Sequence, residues 1–111
     1  QVTRPTVITR DACAEITRRA RQEGKQVGYT SGVFDLLHAG HVDYLNRARA
    51  ACDLLVVGVN SDTSVQKLKG PLRPIVPEQQ RAEVVAGLRA VDYVFVFDEA
   101  NNNVNIETLK P

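Results

Sequence analysis

Leu54-Leu55-Val56-Val57-Gly58-Val59 is the longest apolar run in the chain, and no polar residue interrupts it. A strand with one wet face alternates apolar and polar side chains, so an unbroken run reads as a parallel strand buried on both faces. Upstream, Val27 to Val33 is rich in strand formers and passes through the small residues Thr30-Ser31-Gly32, which predicts a first strand ending in a tight loop. Between the two, Val42, Leu45, Ala48 and Cys52 return at helical spacing. Strand, helix and strand together fill Val27 to Asn60, the length that a right-handed βαβ unit needs.

The pattern continues on both sides. Ala12, Ile16 and Ala20 recur every four residues between Asp11 and Glu23, with Gly24 where a helix would stop, and this predicts a leading amphipathic helix. Ser61 to Leu68 suits a short helix. The stretch from Gly70 to Pro77 holds three prolines, which fix φ and remove donors, so it reads as a stiff surface loop. Helical spacing resumes from Glu78 to Ala90, Asp92 to Phe97 reads as a further strand, and Asn103 to Lys110 as a final helix after an asparagine-rich turn. Neither repeats nor a dividing linker interrupt this order. The expected architecture is a single α/β domain, a Rossmann-like open parallel sheet with helices on both faces. Residues 1–26 supply the leading helix and its connection, and residues 27–111 the body. Such sheets bind ligands beyond the carboxyl ends of their strands, which is where functional residues should gather.

Composition narrows the function classes. The chain has 111 residues, 43% hydrophobic and 24% charged, as in globular proteins and unlike disordered or collagenous ones. Fourteen basic against thirteen acidic residues leave a net charge of +1, so no global field points to nucleic acid or to a membrane surface. The longest apolar run is far too short to cross a bilayer, and no basic stretch followed by an apolar core marks a signal peptide. Cys13 and Cys52 lack metal or redox spacing and read as small apolar residues in a reducing, cytoplasmic setting. The chain begins at Gln1 and contains no methionine, and the expectation is that a natural start precedes it.

The chemistry concentrates at the exit of the first strand, Gly32-Val33-Phe34-Asp35-Leu36-Leu37-His38-Ala39-Gly40-His41, immediately before a helix. Free N–H groups and the positive end of the helix dipole favour phosphate oxygens there, and two imidazoles add donors. Gly40 would let the backbone approach a ligand closely, and Gly32 would let the strand-end loop pass close to a nucleotide. An isolated pair of histidines is ordinarily surface or core. This pair holds the only two histidines of the chain and lies between a buried strand and a helix, with a glycine directly before the second.

With these residues the chain resembles the nucleotidyltransferases that carry an HxGH signature, here His38-Ala39-Gly40-His41. The segment Thr30 to Leu45 is similar to the first motif of heptose-phosphate adenylyltransferases and glycerol-3-phosphate cytidylyltransferases. Val59-Asn60-Ser61-Asp62, Lys67-Leu68-Lys69-Gly70-Pro71, Arg73-Pro74 and Gln80-Arg81 resemble the adenylyltransferase branch whose product is ADP-heptose, a lipopolysaccharide precursor. The resemblance covers about Val27 to Pro111. It implies transfer of AMP from ATP to a sugar 1-phosphate, a heptose foremost, with pyrophosphate leaving; a CTP-dependent glycerol-3-phosphate enzyme and a non-catalytic nucleotide-binding module are the alternatives. The attacking group is then already an anionic phosphate oxygen, so catalysis reduces to positioning and charge stabilisation, and no activated serine or strong base is needed.

On this reading His38, His41 and Lys69 are the catalytic donors, and Thr30, Gly32, Val33, Phe34, Asp35, Gly40 and Arg81 bind the nucleotide. Lys67 and Arg73 face the substrate phosphate, with a solvated surface role as the alternative for each. Asp35 serves either as a turn carboxylate or as a contact near the nucleotide or its metal. Arg81 in a helix's first turn opposes the dipole unless an anion or Glu78 compensates it. Asn60 and Asp62 either touch the acceptor or cap the next helix. Mg²⁺ would travel with ATP, held by phosphates and water, with no protein metal site. A homodimer is expected because the family commonly forms one, and neither a membrane nor a nucleic-acid partner is expected. Family members continue into a Lys-Gly-Gly-Asp-Tyr type strand and a Ser-Thr-rich motif, both expected to lie beyond Pro111.

Overall fold

The computed structural model describes residues 7–35, 37–72 and 75–98, together with Asn105 and Leu109. Along these, α1 spans Arg10–Gln22, β1 Val27–Gly32, α2 Ala39–Ala50, β2 Leu54–Asn60, α3 Asp62–Lys69, α4 Glu78–Ala86 and β3 Tyr93–Phe97. The three strands form one parallel sheet in the order β1-β2-β3, with Val27 beside Leu54 and Val56 beside Tyr93 at the start of each pairing.

The central strand explains its own sequence. Leu55, Val57 and Val59 pack with Leu45 of α2, Ala82 and Val85 of α4, and Val94 on one face. Val56 points the other way, into a cluster with Cys13 of α1, Phe95, Phe97 and Leu109. Helices therefore cover both faces, and the absence of polar alternation in β2 follows from burial on each side. Gly58 leaves room on the α1 face: a Cβ there would lie 2.8 Å from the Tyr29 hydroxyl and 3.1 Å from Phe97.

The leading segment belongs to the same domain. Cys13 of α1 is fully buried, and Val7 bridges Val94 in parallel, with the Ile8 N–H donating to the Val94 carbonyl at 2.8 Å. Burial pushes the Cys13 thiol up to about 12, and Cys52 is half-buried and free, so the structure leaves both as unpaired thiols. No described helix is long and apolar enough to cross a membrane.

One predicted boundary moves. The helix expected to reach Ala90 ends at Ala86, where the Gly87 N–H closes onto Glu83 and Val84. Glycine is a poor helix former, and the turn after it lets Ala90 and Val91 enter the core. At the amino ends of the strands, Asp92 accepts the Leu55 N–H at 2.8 Å and pairs with Arg49 of α2. Of the final helix expected over 103–110, Asn105 and Leu109 are helical and buried, and the rest lies outside the described residues.

Candidate functional site

The carboxyl end of β1 and the start of α2 form one small, tightly constrained unit. His38 is the N-cap of α2, in extended backbone with φ −138° and ψ 178°. Its Nδ1 accepts the Gly40 N–H at 3.0 Å, and the Nδ1 of His41 accepts the N–H of His38 at 3.1 Å. This is a capping box in which two imidazoles take the places usually held by a hydroxyl and a carboxylate. The rings lie against each other with centroids 4.0 Å apart.

That arrangement fixes the protons. An Nδ1 that accepts a hydrogen bond carries no proton, so each neutral ring holds its proton on Nε2. Burial, and then repulsion from His38, lowers the pKa of His41 from its ordinary value and favours the same neutral form. The pair therefore offers two Nε2–H donors at a helix start that carries no acidic residue in its first turn. The expectation of free backbone donors is corrected: the Gly40 N–H is capped by His38, and the N–H groups of His41 and Val42 close onto the His38 carbonyl.

The glycines make room for the protein's own rings. A Cβ on Gly40 would come within 2.8 Å of the His38 ring, and one on Gly32 within 3.0 Å of the Phe34 ring. Phe34 is buried and has φ 50°, a left-handed conformation that is a genuine outlier for a bulky residue. Its ring meets His41 edge-on, with centroids 5.5 Å apart. Thr30 lies one turn of the pleat deeper, its hydroxyl 2.8 Å from that of Tyr44 on α2. Tyr44 did not stand out in the sequence, because an exposed aromatic on a helix carries no local signal.

Of the two roles open to Asp35 the structure shows a carboxylate bound to loop amides, and Arg81 is committed within the protein. The Asp35 carboxylate accepts the Ile75 N–H at 2.9 Å and the Val76 N–H at 2.8 Å, which makes it an anchor for the far end of the proline loop. Arg81, expected as a phosphate ligand, is only 1% exposed. Its guanidinium donates to the carbonyls of Val33 at 2.7 Å, Asn60 at 2.8 Å and Val76 at 2.7 Å, and to Asp62 at 2.7 Å. The counter-charge that the helix dipole demanded comes from Asp62. Glu78 turns instead to the Asp62 N–H, at 2.8 Å. Ser61, and neither Asn60 nor Asp62, caps α3, while the Asn60 amide donates to the Ser64 hydroxyl at 2.9 Å.

The structure thus brings Gly32, Val33, Phe34, Asp35, His38, Gly40, His41 and Arg81 into one continuous constellation. Lys67 and Lys69 stand apart from it, exposed in the last turn of α3. Arg73 lies outside the described residues. A cavity of ≈ 510 Å³ runs along β1 and α2, but of the expected site residues only Thr30 lines it; a smaller one of ≈ 260 Å³ lies between Phe34, Asp35, Leu37, Val76, Arg81 and Val84. The histidine pair therefore lies outside the larger cavity, at the start of α2. Among the described residues, no three His, Cys, Asp or Glu side chains group as metal ligands.

Comparison with known proteins gives a consistent set of relatives. A family model described as cytidylyltransferase-like matches residues 29–110. The bifunctional protein HldE of Wolinella succinogenes is 49% identical over 105 residues, 95% of this chain and 22% of that protein. Its counterpart from Acidiphilium cryptum is 56% identical over 93 residues, 84% of this chain and 19% of that protein. The chain spans about a fifth of the length of these curated relatives. A crystal structure of the lipopolysaccharide core biosynthesis protein from Thermoplasma volcanium is 33% identical, with a TM-score of 0.70 over 79% of this chain and 70% of that one.

Proposed function

The chain belongs to the cytidylyltransferase-like family, and on that premise we propose that it transfers AMP from ATP to the phosphate of a sugar 1-phosphate, releasing pyrophosphate. The observation that carries this reading is the locked histidine pair, whose two Nε2–H donors face away from the capping box. Donors of this kind suit phosphate oxygens. They stabilise charge that grows on the bridging oxygen as the pyrophosphate leaves, and because they are held in place beforehand they cost little reorganisation.

The acceptor phosphate brings its own nucleophilic oxygen, so the reaction needs no base poised for deprotonation. Lys69, and Lys67 beside it, would supply mobile positive charge from the end of α3. Mg²⁺ would arrive with the triphosphate and supply further charge neutralisation. The donor set fits an ion held by phosphates and water: both Nδ1 atoms are occupied, Asp35 is committed to two amides, and Asp62 to Arg81. A heptose 1-phosphate is the favoured acceptor, a reading supported by the neighbour named for lipopolysaccharide core biosynthesis. The reaction would take place in the cytoplasm, where nucleoside triphosphates are available, and the working unit would be a homodimer.

The test is pyrophosphate release with ATP or CTP against a panel of sugar 1-phosphates and glycerol 3-phosphate. Turnover is expected with ATP and a heptose 1-phosphate. His41→Ala should lower kcat by about 10²–10³, the usual cost of removing one preorganised donor. A strict preference for CTP with glycerol 3-phosphate would replace the acceptor and the base. Nucleotide binding with no turnover for any pair would make the chain a binding module.

A further inference from the structure

The loop residues Ile75 and Val76 are bound to the site by a set of polar contacts that the proposed reaction does not use. The Val76 peptide is gripped from both sides, its N–H by the Asp35 carboxylate at 2.8 Å and its carbonyl by the Arg81 Nε at 2.7 Å. The same guanidinium holds the Val33 carbonyl at 2.7 Å. The three residues 33–35 are therefore pinned at each end, and the one between the pins is Phe34, with φ 50°. A phenylalanine persists in that conformation only where its surroundings over-determine it. Phe34 is buried in the main core cluster, and the hydrogen bonds that hold the Val33 carbonyl and the Asp35 carboxylate add to that packing on either side of it. The beneficiary is His41, whose ring is met edge-on by Phe34 at 5.5 Å.

We propose that Asp35 is a positioning residue for His41: by clamping the Ile75 and Val76 amides to the exit of β1, it holds Phe34 in its left-handed backbone and keeps the Phe34 ring against the imidazole. Asp35 thus acts through the loop and Phe34, and does not itself touch the nucleotide. The chain of contacts runs from loop amide to carboxylate, to strained backbone, to aromatic ring, to imidazole. Only its catalytic consequence rests on the transferase reading; the coupling is a property of the fold.

Asp35→Asn tests it, because the amide keeps the size of the side chain and removes its charge. In the full chain, hydrogen exchange at the Ile75 and Val76 amides should quicken by about tenfold, as expected for losing a charge-assisted bond, while the β2 amides stay protected. In the same sample, the nuclear Overhauser contact between the Phe34 and His41 rings should vanish, with the ring-current shifts of the His41 imidazole protons. Asp35→Glu, which keeps the charge one methylene further out, should restore part of both signals. It also serves as the reading variant if the β2 amides show that Asp35→Asn does not fold. Loop amides that loosen while the Phe34–His41 contact survives would overturn the proposal, as would unchanged loop amides. Where the wild-type chain releases pyrophosphate, Asp35→Asn should lower kcat about tenfold with the nucleotide KM unchanged. A wild type without turnover defeats the transferase reading and leaves the spectroscopic test of the coupling intact.

Discussion

Two arginine–aspartate pairs brace the sheet at opposite ends, and they are built differently. At the amino ends of the strands, Arg49 and Asp92 pair with side chains 39% and 22% exposed, and Asp92 also takes the Leu55 N–H. At the carboxyl ends, the Arg81 side chain is 0% exposed and reaches Asp62 only after satisfying three backbone carbonyls from three separate segments. The first is a clasp that water can replace. The second is a hub on a fully buried guanidinium, whose removal takes the partner from three carbonyls and one carboxylate together. The candidate site lies at the hub's end, where the exit of β1, the exit of β2 and the proline loop are tied together, and the more exposed clasp lies at the opposite end of the sheet.

The sharpest way to break this comparison is Arg81→Met, which keeps volume and removes every donor. It should cost about 3–5 kcal/mol in urea denaturation, since the Asp62 charge and the three carbonyls lose their partner together. A loss no larger than that of the Arg49 variant would show that the hub is not one. Arg49→Ala should cost less than about 1 kcal/mol, in line with partly exposed ion pairs, and the loss should shrink further in high salt.

The smallest effect is one of pH, and its source is His41 at the carboxyl end. His41 has a lowered pKa in the folded chain, so on acidification the unfolded chain binds that proton first. Stability is then fully present above the ordinary histidine pKa and declines as pH falls from there toward the lowered folded value. His41→Gln should flatten this decline, because glutamine can still accept the His38 N–H at the third helix position without titrating. An unchanged slope between pH 7 and 5 in that variant, measured by thermal denaturation, would remove His41 as its source.

Much of the fold was legible from pattern because it depends on local periodicity. The apolar run from Leu54 to Val59 announced a strand buried on both faces, and β2 is one. The α4 boundary was misread because helical spacing continued past Gly87, while the gain from burying Ala90 and Val91 in a turn is invisible to spacing. At the site, the histidine pair and its glycine could be read as a unit, since their contacts span only a few residues. The roles of Asp35 and Arg81 could not, because their partners lie 40 and 48 residues away along the chain at Ile75 and Val33.

The sequence by itself determined the parallel sheet, its two covered faces and the histidine pair at the strand-to-helix transition, because hydrophobic period and that transition are written in neighbouring residues. Only the tertiary structure decided which nitrogen of each histidine holds the proton, and which charges are free to meet a ligand. Those outcomes depend on which backbone group comes within hydrogen-bond reach. For Arg81, three carbonyls brought together by the parallel strands and the loop claim a guanidinium that, on the sequence alone, looked available for phosphate.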